Sequence, residues 1–116
     1  HAGAYALLFG QWVGPAGRVF AFEPSPRVAA ALARHGRLNG LDRIVEVVPA
    51  AVAEGPGEAA FRTDGPTGLH RLAADGFVRV PVVSVDAFCR DRGIRPAVLK
   101  VDAEGGELAV LRGARD

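Results

Sequence analysis

Two short apolar runs, Arg18 to Phe22 and Ile44 to Val48, flank a single amphipathic helical stretch, and this spacing limits the fold more than any other feature. Each run is too short for a helix and has the near-continuous apolar character of a strand covered on both faces of a parallel sheet. Ser25-Pro26 starts the helix between them. Ser accepts from a free N–H of the first turn, and Pro at the first helical position supplies the required φ. Val28, Ala29, Leu32 and Ala33 then form one stripe that ends at Asn39-Gly40. Strand, helix, strand with a short connection argues for a parallel sheet with right-handed crossovers, and so for an α/β fold.

A second helix is predicted upstream, over residues 4 to 13, where Tyr5, Leu8, Phe9 and Trp12 stand at i, i+3, i+4 and i+7. Phe9 and Trp12 read as core residues of that face. Gly14-Pro15-Ala16-Gly17 ends the helix. After Ile44 to Val48 the alternation is interrupted. Gly55-Pro56-Gly57 is a turn, Glu58 to Arg62 a strand, and Thr63 to Gly68 a polar loop. Val78 to Val83 is strand-like, and Pro81, which lacks a ladder donor, places it at an edge. Residues 57 to 83 are therefore expected to form a hairpin-like excursion. Ser84 or Asp86 caps a short helix through Arg92, Ala97 to Asp102 reads as a further strand, and a last helix runs from about Glu107 to Arg112 with Gly113 as its stop.

The chain has 116 residues, 49% hydrophobic and 23% charged, which is the size and apolar content of one small globular domain. The net charge of +1, with both signs interspersed, gives no nucleic-acid footprint and no basic membrane-binding face. The expected partner is a small molecule. The one cysteine, Cys89, forms neither an internal disulfide nor a cysteine-rich zinc site and reads as a small buried hydrophobe, which fits a reducing compartment. No run is long enough to span a bilayer and no signal-peptide layout opens the chain, so a cytoplasmic setting is the expectation. No His, Cys and carboxylate cluster has metal-ligand spacing, so no metal is expected.

Three carboxylates stand at positions where chemistry is expected. Glu23 ends a buried strand, where open α/β sheets bind ligands, and a carboxylate there accepts from both hydroxyls of a ribose. A solvated turn residue beside a helix cap is the competing reading of Glu23. Strand alternation puts Val98, Lys100 and Asp102 on one face, with Asp102 at the ligand end and Glu104 just beyond. Lys100 is the single lysine among fourteen Lys and Arg residues, and on a covered strand its ammonium needs a partner. A structural ion pair accounts for Lys100, whereas Asp102 repeats the position of Glu23 and points to a pocket. His70, in the polar excursion, reads as a solvated loop residue or as an acceptor contact.

These residues also carry a resemblance. Val19 to Pro26, then Leu38-Asn39-Gly40-Leu41, then Leu99 to Glu107 with Val110 to Ala114, are similar in order and spacing to the FkbM family of methyltransferases. The most specific part is the Lys-x-Asp-x-Glu-Gly-x-Glu pattern of Lys100 to Glu107. The resemblance implies a Rossmann-like class I methyltransferase sheet, mostly parallel, with S-adenosylmethionine as methyl donor and a hydroxyl of a small molecule or sugar as acceptor. It implies a single partial domain over 1–116, lacking a first strand and the strands after Asp116. Gly3 is then the last glycine of an acidic-x-Gly-x-x-x-Gly motif, where helix N–H groups meet the donor's carboxylate. Ala6 stands where a hydroxyl residue is frequent. Glu23, with Pro24 beside it, holds the ribose, Ala51 lies along the adenine, Asp102 lies near the transferred methyl, and Glu104 partners the acceptor hydroxyl.

Two other functions remain open on the sequence alone. A nicotinamide-dependent oxidoreductase also uses an acidic residue after the second strand for ribose, though with a Gly-x-Gly-x-x-Gly loop. A non-catalytic nucleoside-binding α/β domain accommodates Glu23 but gives no reason for carboxylates grouped at strand ends.

Overall fold

A computed structural model describes residues 3–62, 71–72 and 78–116. The chain divides into two compact units, His1–Pro49 and Ala50–Asp116.

The first unit is a helix–strand–helix–strand layer. Its elements are α1 (Ala4–Trp12), β1 (Val19–Phe22), α2 (Pro26–Leu38) and β2 (Val45–Val48). β1 and β2 pair in parallel, with Val19 opposite Val45 and Phe22 opposite Val48, as the sequence alternation requires. Ser25 caps α2 by accepting from the Val28 N–H at 3.4 Å, and Pro26 occupies the first turn. Val28, Ala29, Leu32 and Gly36 are the buried positions of α2, while Ala6, Leu32, Leu41 and Val45 form the core of this unit. Burying a side chain such as Leu32 contributes about 1.5–3 kcal/mol.

The inward face of α1 differs from the expected one. Ala6 and Gly10 are its buried residues, whereas Tyr5, Leu8 and Trp12 are exposed, Trp12 to 70%. The reason is close approach. A Cβ on Gly10 would lie 2.7 Å from Val45 Cγ2, so the small face is the one that lets α1 sit down on β2. The aromatic rings meet one another in tilted pairs instead, with centroids 6.2 Å apart for Tyr5 and the half-buried Phe9 and 5.8 Å for Phe9 and Trp12.

The second unit carries a mixed sheet of order β3-β6-β4-β5, built from β3 (Ala51–Val52), β4 (Gly57–Arg62), β5 (Arg71–Leu72) and β6 (Val78–Val83). β3 runs parallel to β6, and β4 is antiparallel to both β6 and β5. The excursion is thus hairpin-like as expected, though its pairings make this unit mixed rather than mostly parallel. The loop expected at 63–68 lies outside the described residues. The cluster Ala51, Phe61, Val80 and Val82 forms this unit's core.

β6 is internal to the sheet, contrary to the edge position inferred from Pro81. The phase of the ladder explains how Pro is accepted. Val83 O accepts from Ala53 N–H at 2.9 Å, so the odd-numbered residues of β6 turn their backbone groups toward β3. β3 pairs only with Val82 and Val83, and the missing donor of Pro81 therefore falls on a flank without a ladder. The bonds to β4, opposite Glu58, do not need it.

α3 (Val85–Arg92) is capped by Ser84, whose side chain accepts from the Ala87 N–H, and ends at Gly93 in a left-handed conformation. α4 (Glu107–Arg112) exits through Gly113. The strand expected over 97–102 does not form. Val98 is 75% exposed and Leu99 44%, and no described strand pairs with this segment. A strand is defined by its neighbours, and an extended run without one leaves its N–H and C=O groups to water.

Candidate functional site

In the first unit the relevant groups gather where β1 and α1 begin or end. Glu23 follows β1 directly, and its N–H donates to Val48 O at 3.0 Å, extending the parallel ladder by one bond. Its carboxylate is half-buried, and Oε1 accepts from the Ser25 N–H at 2.9 Å. No described residue donates to Oε2, so half of the carboxylate organises the turn into α2 and half stays open. Both readings of Glu23, turn residue and ligand residue, are thus compatible with one geometry. Pro24, also half-buried, holds the two-residue link between strand end and helix cap.

Gly3 immediately precedes α1 with φ 82°, a left-handed conformation that favours glycine. A Cβ there would lie 2.0 Å from Leu32 Cδ1, so glycine is also required by packing against α2. The first turn of α1 has no side-chain cap and no acidic residue. Ala6 belongs to this unit's core and offers no hydroxyl. Helix N–H groups left without a side-chain acceptor favour an anion.

In the second unit Ala51, three residues past the end of β2, opens the short strand β3 and is 5% exposed among Phe61, Val80 and Val82. Core packing claims that side chain, which leaves the backbone as its means of touching a ligand.

The segment from Lys100 to Glu107 sorts its three carboxylates by what each is bound to. Asp102 Oδ2 accepts from Lys100 Nζ at 2.6 Å, which gives the lone ammonium the kind of partner it was expected to need. That hydrogen bond and the ammonium charge hold the Asp102 carboxyl below the usual aspartate range. The pair is solvent-exposed, so its contribution to stability is small.

Glu107 is the first residue of α4, but its side chain turns back. Oε1 accepts from the Ala103 N–H at 2.9 Å, and the Gly105 N–H reaches Oε1 at 3.2 Å and Oε2 at 3.0 Å. Its own backbone N–H, then those of Gly105 and Ala103, hold this carboxyl low, against smaller upward pushes from partial desolvation and then from the Asp102 charge.

Glu104, between them, is exposed, sits at φ 47°, and takes part in no hydrogen bond or ion pair among the described residues. Of the three, Glu104 has its oxygens available.

Glu107 had been visible in the sequence only as the end of a motif. The Gly105-Gly106 pair just before it is the signal that identifies its role, because such a turn exposes N–H groups within reach of an acid at the helix start. His70 lies outside the described residues. Cys89 is half-buried and reduced. Among the described residues no group of three or more His, Cys, Asp or Glu side chains is placed to hold a metal ion, and no described helix is long and apolar enough to cross a membrane.

The Methyltransferase FkbM domain matches residues 1–116, the whole chain. The chain belongs to the FkbM methyltransferase family. A curated relative of this family member is the hexuronic acid methyltransferase AglP of Haloferax volcanii, 31% identical over 101 residues. The match covers 82% of this chain and 40% of AglP, so the FkbM chain spans well under half of that relative. No solved structure matches the chain.

Proposed function

We propose that this FkbM domain serves an S-adenosylmethionine-dependent O-methyltransferase whose acceptor is a hydroxyl on a sugar or other small molecule. The observation that carries this reading is the division of labour at Glu23. One carboxylate oxygen fixes the turn into α2, while the other is open at the carboxyl end of a parallel strand pair. A Rossmann-like sheet, of which β1 and β2 supply two parallel strands, accommodates the donor in this way.

The residues present fit that donor at three points. Gly3 leads into α1 in a left-handed conformation, the uncapped start of α1 suits the donor's carboxylate, and Glu23 Oε2 suits the ribose hydroxyls. Pro24 flanks the ribose position. When bound, S-adenosylmethionine supplies an electrophilic methyl on a sulfonium.

The chain's own contribution is positioning and proton handling. In-line placement of the acceptor oxygen supplies much of the rate. In the second unit Asp102, held by Lys100, supplies an oriented and ionised carboxylate. Glu104, whose oxygens are unclaimed among the described residues, orients the acceptor hydroxyl and takes its proton. The hexuronic acid acceptor in the name of AglP favours a sugar over other hydroxyl compounds.

A nicotinamide oxidoreductase is disfavoured by membership of the FkbM family. The test is transfer of labelled methyl from S-adenosylmethionine to a panel of sugar and non-sugar alcohols by the full-length protein, with Glu104→Gln alongside. Transfer to a sugar, at least tenfold slower in the variant, is the expected result. Binding of S-adenosylmethionine without transfer to any acceptor would leave only the nucleoside-binding alternative.

A further inference from the structure

Glu104 holds a left-handed backbone conformation, φ 47°, although it has a Cβ, and Gly105 follows at φ 96°. A residue other than Gly, Asn or Asp in that region is strained and persists only where its surroundings impose it. What imposes it is on either side of Glu104. The N–H groups of Ala103 and Gly105 converge on one carboxylate, that of Glu107, while Gly106 N–H closes the turn by donating to Ala103 O at 3.0 Å. Glu107 therefore binds both neighbours of the strained residue without touching Glu104 itself.

We propose that Glu107 is a positioning residue, whose carboxylate clamps the Ala103 and Gly105 N–H groups so that the intervening Glu104 is fixed in the conformation that presents its carboxylate. The claim rests on the reading of Glu104 as the acceptor-side carboxylate. A carboxylate at the start of α4 also has a simpler use, complementing the positive end of the helix, for which charge suffices. The two uses differ in what they demand of the side chain. Clamping needs reach, and Oε1 alone accepts from both N–H groups. Complementing the helix needs charge.

Glu107→Gln keeps the reach and loses the charge, whereas Glu107→Asp keeps the charge and is one methylene short. Steady-state kinetics of the full-length protein with S-adenosylmethionine and a sugar acceptor, read with the amide exchange of Ala103 and Gly105, separate the two. We expect Glu107→Asp and Glu107→Ala to lower kcat by tenfold to a hundredfold with unprotected Ala103 and Gly105 amides. Glu107→Gln, whose amide oxygen at the Oε1 place keeps both bonds there while its NH2 gives up the 3.0 Å Gly105 bond, should stay within about threefold of the parent with the Ala103 amide still protected. Should Glu107→Ala fail to fold, the Asp and Gln variants decide alone. The reverse order, Asp like the parent and Gln impaired, overturns the proposal, as does an unchanged kcat per folded molecule in both Glu107→Asp and Glu107→Ala. A parent protein that binds no S-adenosylmethionine and methylates nothing overturns instead the function on which the proposal rests, and the amide protection then reports Glu107 as a turn clamp only.

Discussion

Lys100 Nζ and Asp102 Oδ2 meet at 2.6 Å across a single intervening residue, on a segment that pairs with no described strand. The contact is made by local chain geometry, so it needs no sheet to form. Because the folded Asp102 carboxyl is held below its unfolded value, the pair stabilises the fold above about pH 4, the ordinary carboxylate range, and that contribution is lost as pH falls through the folded value. Lys100→Met should move the Asp102 titration upward in a carbon-detected NMR experiment. It should also leave a shallower loss of melting temperature in acid. High salt should reproduce part of the upward shift, since the charge is screened while the hydrogen bond persists. An Asp102 titration identical in parent and variant would break the link between the two residues.

Gly113 is a glycine for reasons of space. A Cβ there would lie 2.4 Å from Ala53 O, 3.0 Å from Ser84 Cβ and 3.1 Å from Glu54 O. Two of these atoms are backbone and have nowhere to go. The same corner is fastened by Asp86, whose N–H donates to Gly113 O at 2.9 Å and whose carboxylate accepts from the Arg115 and Asp116 N–H groups. Gly113→Ala should cost about 1–3 kcal/mol from overpacking, offset by up to about 1 kcal/mol through the stiffer unfolded chain. A urea titration showing no loss of stability would refute the packing argument.

The same substitution should have opposite signs in the two helices of the first unit. At Gly36, in α2, nothing lies within 4 Å of an added Cβ, so Gly36→Ala should gain up to about 1 kcal/mol from helix propensity. At Gly10, in α1, the added Cβ meets Val45 Cγ2 at 2.7 Å and Leu41 Cδ1 at 3.3 Å. The overpacking penalty of about 1–3 kcal/mol matches or exceeds the same propensity gain. Paired thermal melts would show Gly36→Ala above the parent and Gly10→Ala at or below it.

Gly10 also marks where the sequence misleads. Tyr5, Leu8, Phe9 and Trp12 satisfy the helical period, but the period identifies an apolar face without saying which face packs. The small residues Ala6 and Gly10 decide that, because at Gly10 the missing side chain leaves room for those of Val45 and Leu41. The local signals were legible. Ser25 and Ser84 cap α2 and α3 as read, since a cap depends on residues within one turn. The strand at 97–102 was not, because its backbone bonds depend on a neighbour that its own residues do not encode. Of the candidate site, the carboxylates Glu23, Asp102 and Glu104 were visible as positions. Which of their oxygens are bound and which are left was invisible, for it depends on Glu23 turning to the Ser25 N–H, on Lys100 reaching Asp102, and on Glu107 rather than Glu104 taking the Ala103 and Gly105 N–H groups.

That division of bonds at Glu23 sharpens the test of the donor site. Glu23→Ala removes the open oxygen proposed for the ribose and also the acceptor for the Ser25 N–H, so it confounds binding with the turn into α2. Glu23→Gln separates them. Its amide oxygen still accepts from Ser25 at the Oε1 position, while an NH2 group replaces the open Oε2 and cannot accept from a ribose hydroxyl. The charge-assisted bond at stake contributes about 1.5–3 kcal/mol. S-adenosylmethionine affinity in the full-length protein should then fall by about tenfold to a hundredfold, at 1.4 kcal/mol per factor of ten. The circular dichroism spectrum and melting temperature should stay those of the parent for Glu23→Gln and drop for Glu23→Ala. Calorimetric titration of parent and Gln variant measures the first effect, and thermal melts of both variants measure the second. An unchanged affinity in folded Glu23→Gln would assign the carboxylate wholly to the turn, and the donor's ribose would have to be held elsewhere.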